Sequence, residues 1–465
     1  MSSENRDRRN RTIKSAVLTS LLSKFGTLAL RIISIPIAIH VLGMEQFGVY
    51  ATILVAVQMM DVFHLGIGPA LTQKLSKASL ENDQAKEARL FSTSMIISSA
   101  ITFLIALILI VAVCTIPITD LFGDKYASYS ETMRRSCLIG IGIIAVELVC
   151  LVAERARDGY METRYTNLWG AGGNFLAAAL LLIGIWKFPT TEFLVLAING
   201  SVVLAKFGNM VHMMVQRPYL LPRFRTFSQS MVKMLMSGAL IFTIVYGSSG
   251  IMEYNIIGYL VGRFLGPEQA ANYSILISLH VMMTGIIYML TVPIWPAIID
   301  AYERRELDWV IHTAKRLRLT AFAFGATVLT GMSFFGLWAI KIWIGEGFSL
   351  EQGALIAFGS YFTLHLWRHV NQILCLGLSR ENAVAKIVLA ETFTTFTVSI
   401  YLLKQGYSIP HILAAFSVII VCFSGWLYPL IYRNTLESTT ENPQPTEPEP
   451  HEVPGHPSPV KLATR

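Results

Sequence analysis

The stretch "VLGMEQFGVY", residues 41–50, returns as "FLGPEQAANY" at residues 264–273. Leu42, Gly43, Glu45, Gln46 and Tyr50 recur as Leu265, Gly266, Glu268, Gln269 and Tyr273, each 223 residues later. The shift is close to half of the 465-residue chain. Five identities in one register point to an internal duplication rather than two unrelated apolar turns. Within each copy, Gly43 or Gly266 ends a helix as a left-handed residue would. The next helix starts at Glu45 or at Pro267-Glu268, where a proline in the first turn and an acid near the helix N-terminus are favoured. On this reading the phrase is a structural turn in both copies and is not selected as a substrate contact.

The turn is set in an apolar chain. Hydrophobic residues make up 53% and charged residues only 14%, with mean hydropathy +0.53. Soluble domains carry roughly 25% charged residues, so the composition indicates an integral membrane protein. A membrane-crossing helix needs about 20 mostly apolar residues. Twelve such runs are present, at 15–40, 49–72, 91–117, 136–153, 167–186, 192–213, 235–262, 272–297, 317–342, 353–378, 383–403 and 409–432. The connections are too short for a folded soluble domain. "MSSENRDRRNRTIK" is too charged, and the first apolar run too long, for a cleaved signal peptide.

Lys and Arg favour cytoplasmic loops. With the N-terminus inside, inner segments hold 26 of the 37 Lys and Arg and outer loops hold 7. Both termini are therefore expected in the cytoplasm. The same bias accounts for the net charge of +7 without a nucleic-acid partner. The five cysteines, Cys114, Cys137, Cys150, Cys375 and Cys422, lie in apolar runs with neither disulfide-framework nor metal-ligand spacing. The expected organisation is a basic cytoplasmic N-terminus (1–14), a six-helix bundle (15–213), a cytoplasmic linker (214–234), a second six-helix bundle (235–432) and a Pro- and Glu-rich disordered cytoplasmic tail (433–465). Six helices separate the two phrases, so the halves share one orientation. Parallel repeats of this kind are one plan of secondary transporters, with substrate held between the halves.

Longer segments carry a resemblance. "RIISIPIAIHVLGMEQFGVYATI" (31–53), "MMDVFHLGIGPALTQKLSKA" (59–78), "YNIIGYLVGRFLGPEQAANYSI" (254–275) and "NQILCLGLSRENAVAKIVLAE" (371–391) resemble polysaccharide flippases of the O-antigen type. These belong to the multidrug/oligosaccharidyl-lipid/polysaccharide exporter superfamily, which also holds multidrug-toxin exporters and the lipid II flippase. The resemblance covers about residues 12–432. It implies an all-α fold of twelve transmembrane helices in two parallel six-helix bundles around a central cavity. It also implies a multi-pass protein of the bacterial cytoplasmic membrane. The implied substrate is a polyprenyl-diphosphate-linked oligosaccharide, moved from the cytoplasmic to the outer leaflet. A polysaccharide polymerase or export machinery is an implied partner, alongside membrane lipids. Lipid II flippases usually have two more spans.

Charged residues inside spans are costly and mark function or pairing. In the first span Ser20, Lys24, Thr27, Arg31 and Ser34 share one helical face. Lys24 and Arg31 are candidate ligands for a diphosphate, Arg31 through bidentate bonds. Snorkelling and pairing with a neighbouring acid are the alternatives. In the tenth span, "LHLWRHVNQ" offers Arg368 as a third cavity cation, with His365 and His369 as cavity or coupling candidates and Trp367, Asn371 and Gln372 suited to sugars. An interhelical hydrogen-bonding cluster is the alternative.

Asp61, Glu147, Glu253 and Glu391 are the acidic candidates within spans. They can pair with these cations or carry a coupling H+ or Na+. Asp61 and Glu253 are the cavity candidates, with Tyr246 and Ser249 on the face of Glu253. Lys206 reads as snorkelling to the cytoplasmic edge. Pro36, Pro293 and Pro296 can kink their helices. No enzyme is expected: the longest outer loop, 119–135, is small, and no nucleotide-binding loop is present. No cofactor or metal site is expected. A drug or cation exporter of the same superfamily is the alternative function, disfavoured by cations rather than acids on the first helix.

Overall fold

The computed structural model describes residues 3–64, 67–236, 251–345 and 350–441. The chain is built from helices that run back and forth between two ends. We number the spanning helices α1 (3–42), α2 (described over 44–64 and 67–80), α3 (Gln84–Thr115), α4 (Ser130–Gly159), α5 (Thr163–Gly184), α6 (Thr191–Gln216), α7 (described over 251–265), α8 (Pro267–Glu303), α9 (Leu307–Ile344), α10 (Gln352–Gly377), α11 (Glu381–Lys404) and α12 (409–441). Nine helices among the described residues meet a length-and-apolarity criterion for crossing a membrane. One of these, Phe25–Asp61, folds back at Gly43 and so counts as two helices. Two spans fall outside that set: α7, described in part, and α10, which is nearly surrounded by protein and carries a polar face. This gives twelve helices in two six-helix bundles.

The final helix continues to Glu441, so the expected tail from 433 begins as helix; residues 442–465 lie outside the described residues. Likewise the expected N-terminal segment 1–14 is helical from Ser3. The linker folds as two short 3-10 turns, Pro218–Leu220 and Phe224–Thr226, before a helix at Gln229–Met236. It is pinned to the first bundle: Leu220 and Leu235 join that bundle's core, and Tyr219 and Tyr160 both donate to Glu87 at 2.7 Å.

The duplication is written in the backbone. Gly43 (φ 82°, ψ 165°) and Gly266 (φ 96°, ψ 177°) adopt one rare conformation. So do Gly123 (φ 100°, ψ 158°) and Gly345 (φ 99°, ψ −169°), in corresponding turns of the two halves. The expected left-handed helical cap is thus corrected. φ is positive, but ψ is extended, a region that is essentially glycine-only. The reason is geometric: the chain reverses between two helices within one residue. At the opposite end, Asn82 (φ 54°) is matched by Arg305 (φ 60°), and Met161 by Ser379, both with φ 57°.

The two phrase copies meet. A Cβ on Gly48 would overlap the carbonyl of Pro267, so the bundles touch backbone to backbone. Around this contact one apolar core runs through both bundles, joining Phe47, Tyr50 and Leu194 to Tyr273, Phe358 and Phe416. A strap at 118–126 adds to it. Arg263 donates to the Asp120 carbonyl at 2.5 Å and to that of Leu121, which also accepts from Tyr259. Lys125 reaches the Leu265 carbonyl at 3.1 Å. At the end where the termini lie, each bundle keeps its own core, and among the described residues no buried cluster joins them. The molecule is closed at the phrase end and divided at the termini end.

Prolines in these helices orphan a carbonyl four residues back, and tryptophans satisfy two of them. Pro36 frees the carbonyl of Ile32, which accepts from Trp343 Nε1 at 2.9 Å across the bundle boundary. Pro429 frees that of Gly425, which accepts from Trp367 Nε1 at 2.8 Å. The side chains of Pro293 and Pro296 lie outside the described residues. Large apolar side chains such as Phe103, Ile108, Phe334 and Trp338 are exposed on the outer surface, as lipid contact requires.

Gly43 has free space where a Cβ would go, so Gly43→Ala probes backbone strain alone. It is expected to destabilise the protein by about 1–3 kcal/mol, read as a lowered melting temperature in detergent. Gly142→Ala, which meets open space within α4, is expected to leave melting unchanged. Equal melting of the two variants would contradict this account of the turn.

Candidate functional site

Below the phrase contact lies a cavity of about 540 Å³, within the usual range of ligand sites. Its ceiling includes Phe47 and Tyr50 from one phrase and Ala270 and Tyr273 from the other. The phrase therefore reaches the cavity as well as forming the turns. Helix α1 presents Thr27, Arg31 and Ser34 to the cavity. The side chains of Ser20 and Lys24 lie outside the described residues. Asn174 of α5 donates to Thr27 at 2.8 Å and fixes the stripe against the first bundle. Toward the termini end the walls carry Asn167, Glu154 and Lys206; the second bundle contributes Tyr254, Asn255, Ser274 and Ser278.

Arg31 has no hydrogen bond or ion pair among the described residues. Residues 237–250, outside the description, contain no Asp or Glu. Arg31 is thus a cation held ready in a polar cavity. Lys206 behaves differently. Its Nζ sits 2.8 Å from Glu147 and 3.8 Å from Glu154, and it lines the cavity rather than snorkelling out as the sequence suggested. Glu147 and Glu154 are seven residues apart on one face of α4, which is what lets both reach a single lysine. Asp61 lies half-buried in a 3-10 turn of α2, within electrostatic reach of Lys206 and Glu147, and is not among the cavity-lining residues.

The expected second-bundle cavity residues assemble elsewhere. Glu253 and Arg368 form a buried bidentate pair, with N–O distances of 2.7 and 3.2 Å. His365 Nδ1 accepts from Arg368 at 2.8 Å, and Tyr361 donates to Glu253 at 2.5 Å. Glu391 stands 3.9 Å from Arg368 and accepts from the Ser424 hydroxyl and amide at 2.5 and 3.3 Å. It thereby caps the second segment of α12, where an acid suits the helix N-terminus. Neither Arg368 nor Glu253 lines the cavity, which corrects their expected placement. A guanidinium this deep in a bundle is stable only when paired, and Glu253 supplies the pair. His369 likewise turns to Thr291 (3.0 Å) and packs on Tyr288. Trp367 and Asn371 also bond within the second bundle, Asn371 to Arg318 at 2.8 Å.

Sequence reading set Lys206 aside as a snorkelling residue and missed Glu154, Tyr361 and His280. The last is a lone histidine in an apolar run, with no periodic polar companions to single it out.

A model of the family described as "Polysaccharide biosynthesis protein" matches residues 13–301. The succinoglycan biosynthesis transport protein ExoT of Rhizobium meliloti (strain 1021) is 25% identical over 75% of this chain and 63% of its own length. The chain thus spans less than two thirds of that relative. Among solved structures, an inward-facing multidrug resistance MATE family transporter of the MOP superfamily aligns with TM-score 0.69 at 14% identity, covering 90% of this chain and 96% of that one. A MOP superfamily transporter from Pyrococcus furiosus Vc1 (DSM3638), described as having a binding pocket of reversed polarity that suggests a different function, aligns with TM-score 0.62 at 14% identity, covering 93% and 97%. At these identities the structural likenesses establish the fold.

Removing one member of the Glu253–Arg368 pair leaves a buried unpaired charge. Arg368→Met is expected to cost about 3–5 kcal/mol of stability, while adding Glu253→Gln to it restores much of the loss. Melting curves of the single and double variants in detergent decide this; a double variant no better than the single would refute the pairing account.

Proposed function

Because the chain belongs to the polysaccharide biosynthesis protein family, within the multidrug/oligosaccharidyl-lipid/polysaccharide exporter superfamily, we propose that this membrane transporter flips a polyprenyl-diphosphate-linked oligosaccharide for surface polysaccharide export. The observation that carries the reading is Arg31, a guanidinium unpaired among the described residues, in a polar cavity that is sealed at one end. A diphosphate offers the oxygens that such a group binds in bidentate fashion. Asn167, Asn174, Asn199 and Ser278 around it supply amides and hydroxyls suited to sugar hydroxyls.

Lys206 is the second cation of the cavity, held by Glu147 and Glu154 until an anionic substrate competes for it. On this reading the membrane is the bacterial inner membrane and the termini face the cytoplasm, which the charge bias of the loops supports, so the divided end loads substrate and the phrase end releases it. Rocking of one bundle against the other about the phrase contact gives alternating access. The transport assignment of the relative named for succinoglycan supports the export role. A cationic drug would meet Arg31 with like charge, which disfavours the exporter alternative.

In cells lacking this gene, wild type is expected to restore surface glycan and drain the pool of lipid-linked repeat units. Arg31→Gln should insert normally and restore neither. Arg31→Lys should restore both in part, because it keeps the charge and loses the bidentate geometry. Full rescue by Arg31→Gln would refute the substrate role of Arg31.

A further inference from the structure

His280 of α8 is fully buried, and among the described residues neither ring nitrogen has a hydrogen-bond partner. Buried polar groups are nearly always partnered, so this imidazole needs a reason to be where it is. Its ring stands edge-on to His365, with centroids 4.4 Å apart, and stacks on Tyr361 at 5.1 Å. His365 is itself half-partnered. A guanidinium can only donate, so the 2.8 Å contact with Arg368 makes His365 Nδ1 an acceptor. The ring is then neutral, its proton on Nε2, which is also unpartnered.

The charges around the pair do not cancel. Glu253 and Glu391 are two carboxylates and Arg368 one guanidinium, so with both acids ionised the membrane-buried cluster carries one negative charge. The other titratable groups facing it are phenols and one imidazole. Tyr254 comes from α7, and Tyr273 and Tyr288 from α8. Tyr361 and His369 come from α10, and Tyr428 from α12. One proton would neutralise the cluster.

We propose that His280 and His365 form a proton-binding site and that a proton on His365 transfers Glu253 from Arg368 to the imidazolium. The proton adds to His365 Nδ1, and no covalent bond breaks. Nδ1 then no longer accepts from Arg368. It becomes a donor 3.7 Å from Glu253 Oε2, while Arg368 has Glu391 at 3.9 Å as its next partner. Glu253 lies in the π-helical turn Ile251–Ile256 of α7, a local distortion frequent at functional sites. The next two residues, Tyr254 and Asn255, line the cavity. A partner exchange at Glu253 therefore moves the cavity wall directly. The consequence for transport rests on the flippase reading above; the proton binding does not.

The test starts with purified protein carrying 15N-histidine, its signals assigned with His280→Gln and His365→Gln. The pair is expected to take up one proton between about pH 8 and pH 5, seen on the His365 ring, and His280→Gln is expected to shift that titration. Two rings that stay neutral over that range in the folded protein would overturn the site. In proteoliposomes with polyprenyl-diphosphate oligosaccharide, a pH gradient should accelerate wild type, and His365→Gln, if its melting is unchanged, should lose that acceleration. Undiminished acceleration in His365→Gln would overturn the coupling. Wild type that titrates as expected but moves no oligosaccharide would defeat the flippase reading and leave the proton site standing.

Discussion

Gly48 has no side chain where the Pro267 carbonyl lies, and that absence sets the geometry of the whole molecule. Two backbones in contact bring two six-helix bundles to van der Waals distance at one end only. The shared core grows around that point, and the cavity begins directly beneath it. Any β-carbon at position 48 would push the bundles apart where the strap at 118–126 and Arg263 hold them together. The duplication makes the contact symmetric in origin and asymmetric in chemistry, because Gly48 meets Pro267 rather than a second glycine.

A membrane interior supplies no water to satisfy backbone groups, and the molecule's exceptions to regular helix follow from that. The turns reverse within a single glycine, so few amides are left open. The carbonyls freed by Pro36 and Pro429 are each met by an indole. The bond from Trp343 to Ile32 also crosses between bundles, so the proline turn of α1 is tied to the second half. Charges obey the same rule. Arg368 is paired, Lys206 is held by two acids, and Arg31 is the described cation in the cavity left without a protein partner.

The spans, the parallel duplication and the cavity face of α1 were legible in the sequence. Hydropathy shows which segments need lipid, the phrase shows the repeat, and a 3–4 spacing places Thr27, Arg31 and Ser34 on one face whatever their neighbours are. What was not legible depends on which helix stands opposite. Arg368 and Glu253 looked like cavity residues because span-buried charge has two explanations, and only the approach of α7 to α10 chooses pairing. Lys206 lies close enough to an edge to snorkel, but Glu147 and Glu154 face it and hold it at the cavity. The conformation of Gly43 was half legible: glycine announced positive φ, but the extended ψ follows from how sharply two helices must reverse.

The central claim is that the phrase end must open for substrate to leave, and it can be tested by preventing that motion. Cysteines replacing Lys125 and Leu265, which meet across the bundle boundary through the Lys125 ammonium and the Leu265 carbonyl, can be bridged in cells by a short bifunctional thiol reagent on an otherwise cysteine-free protein. The account predicts that bridging stops surface glycan synthesis and swells the pool of lipid-linked repeat units, whereas either single cysteine treated alike does neither. Undiminished export by the fully bridged protein would contradict it.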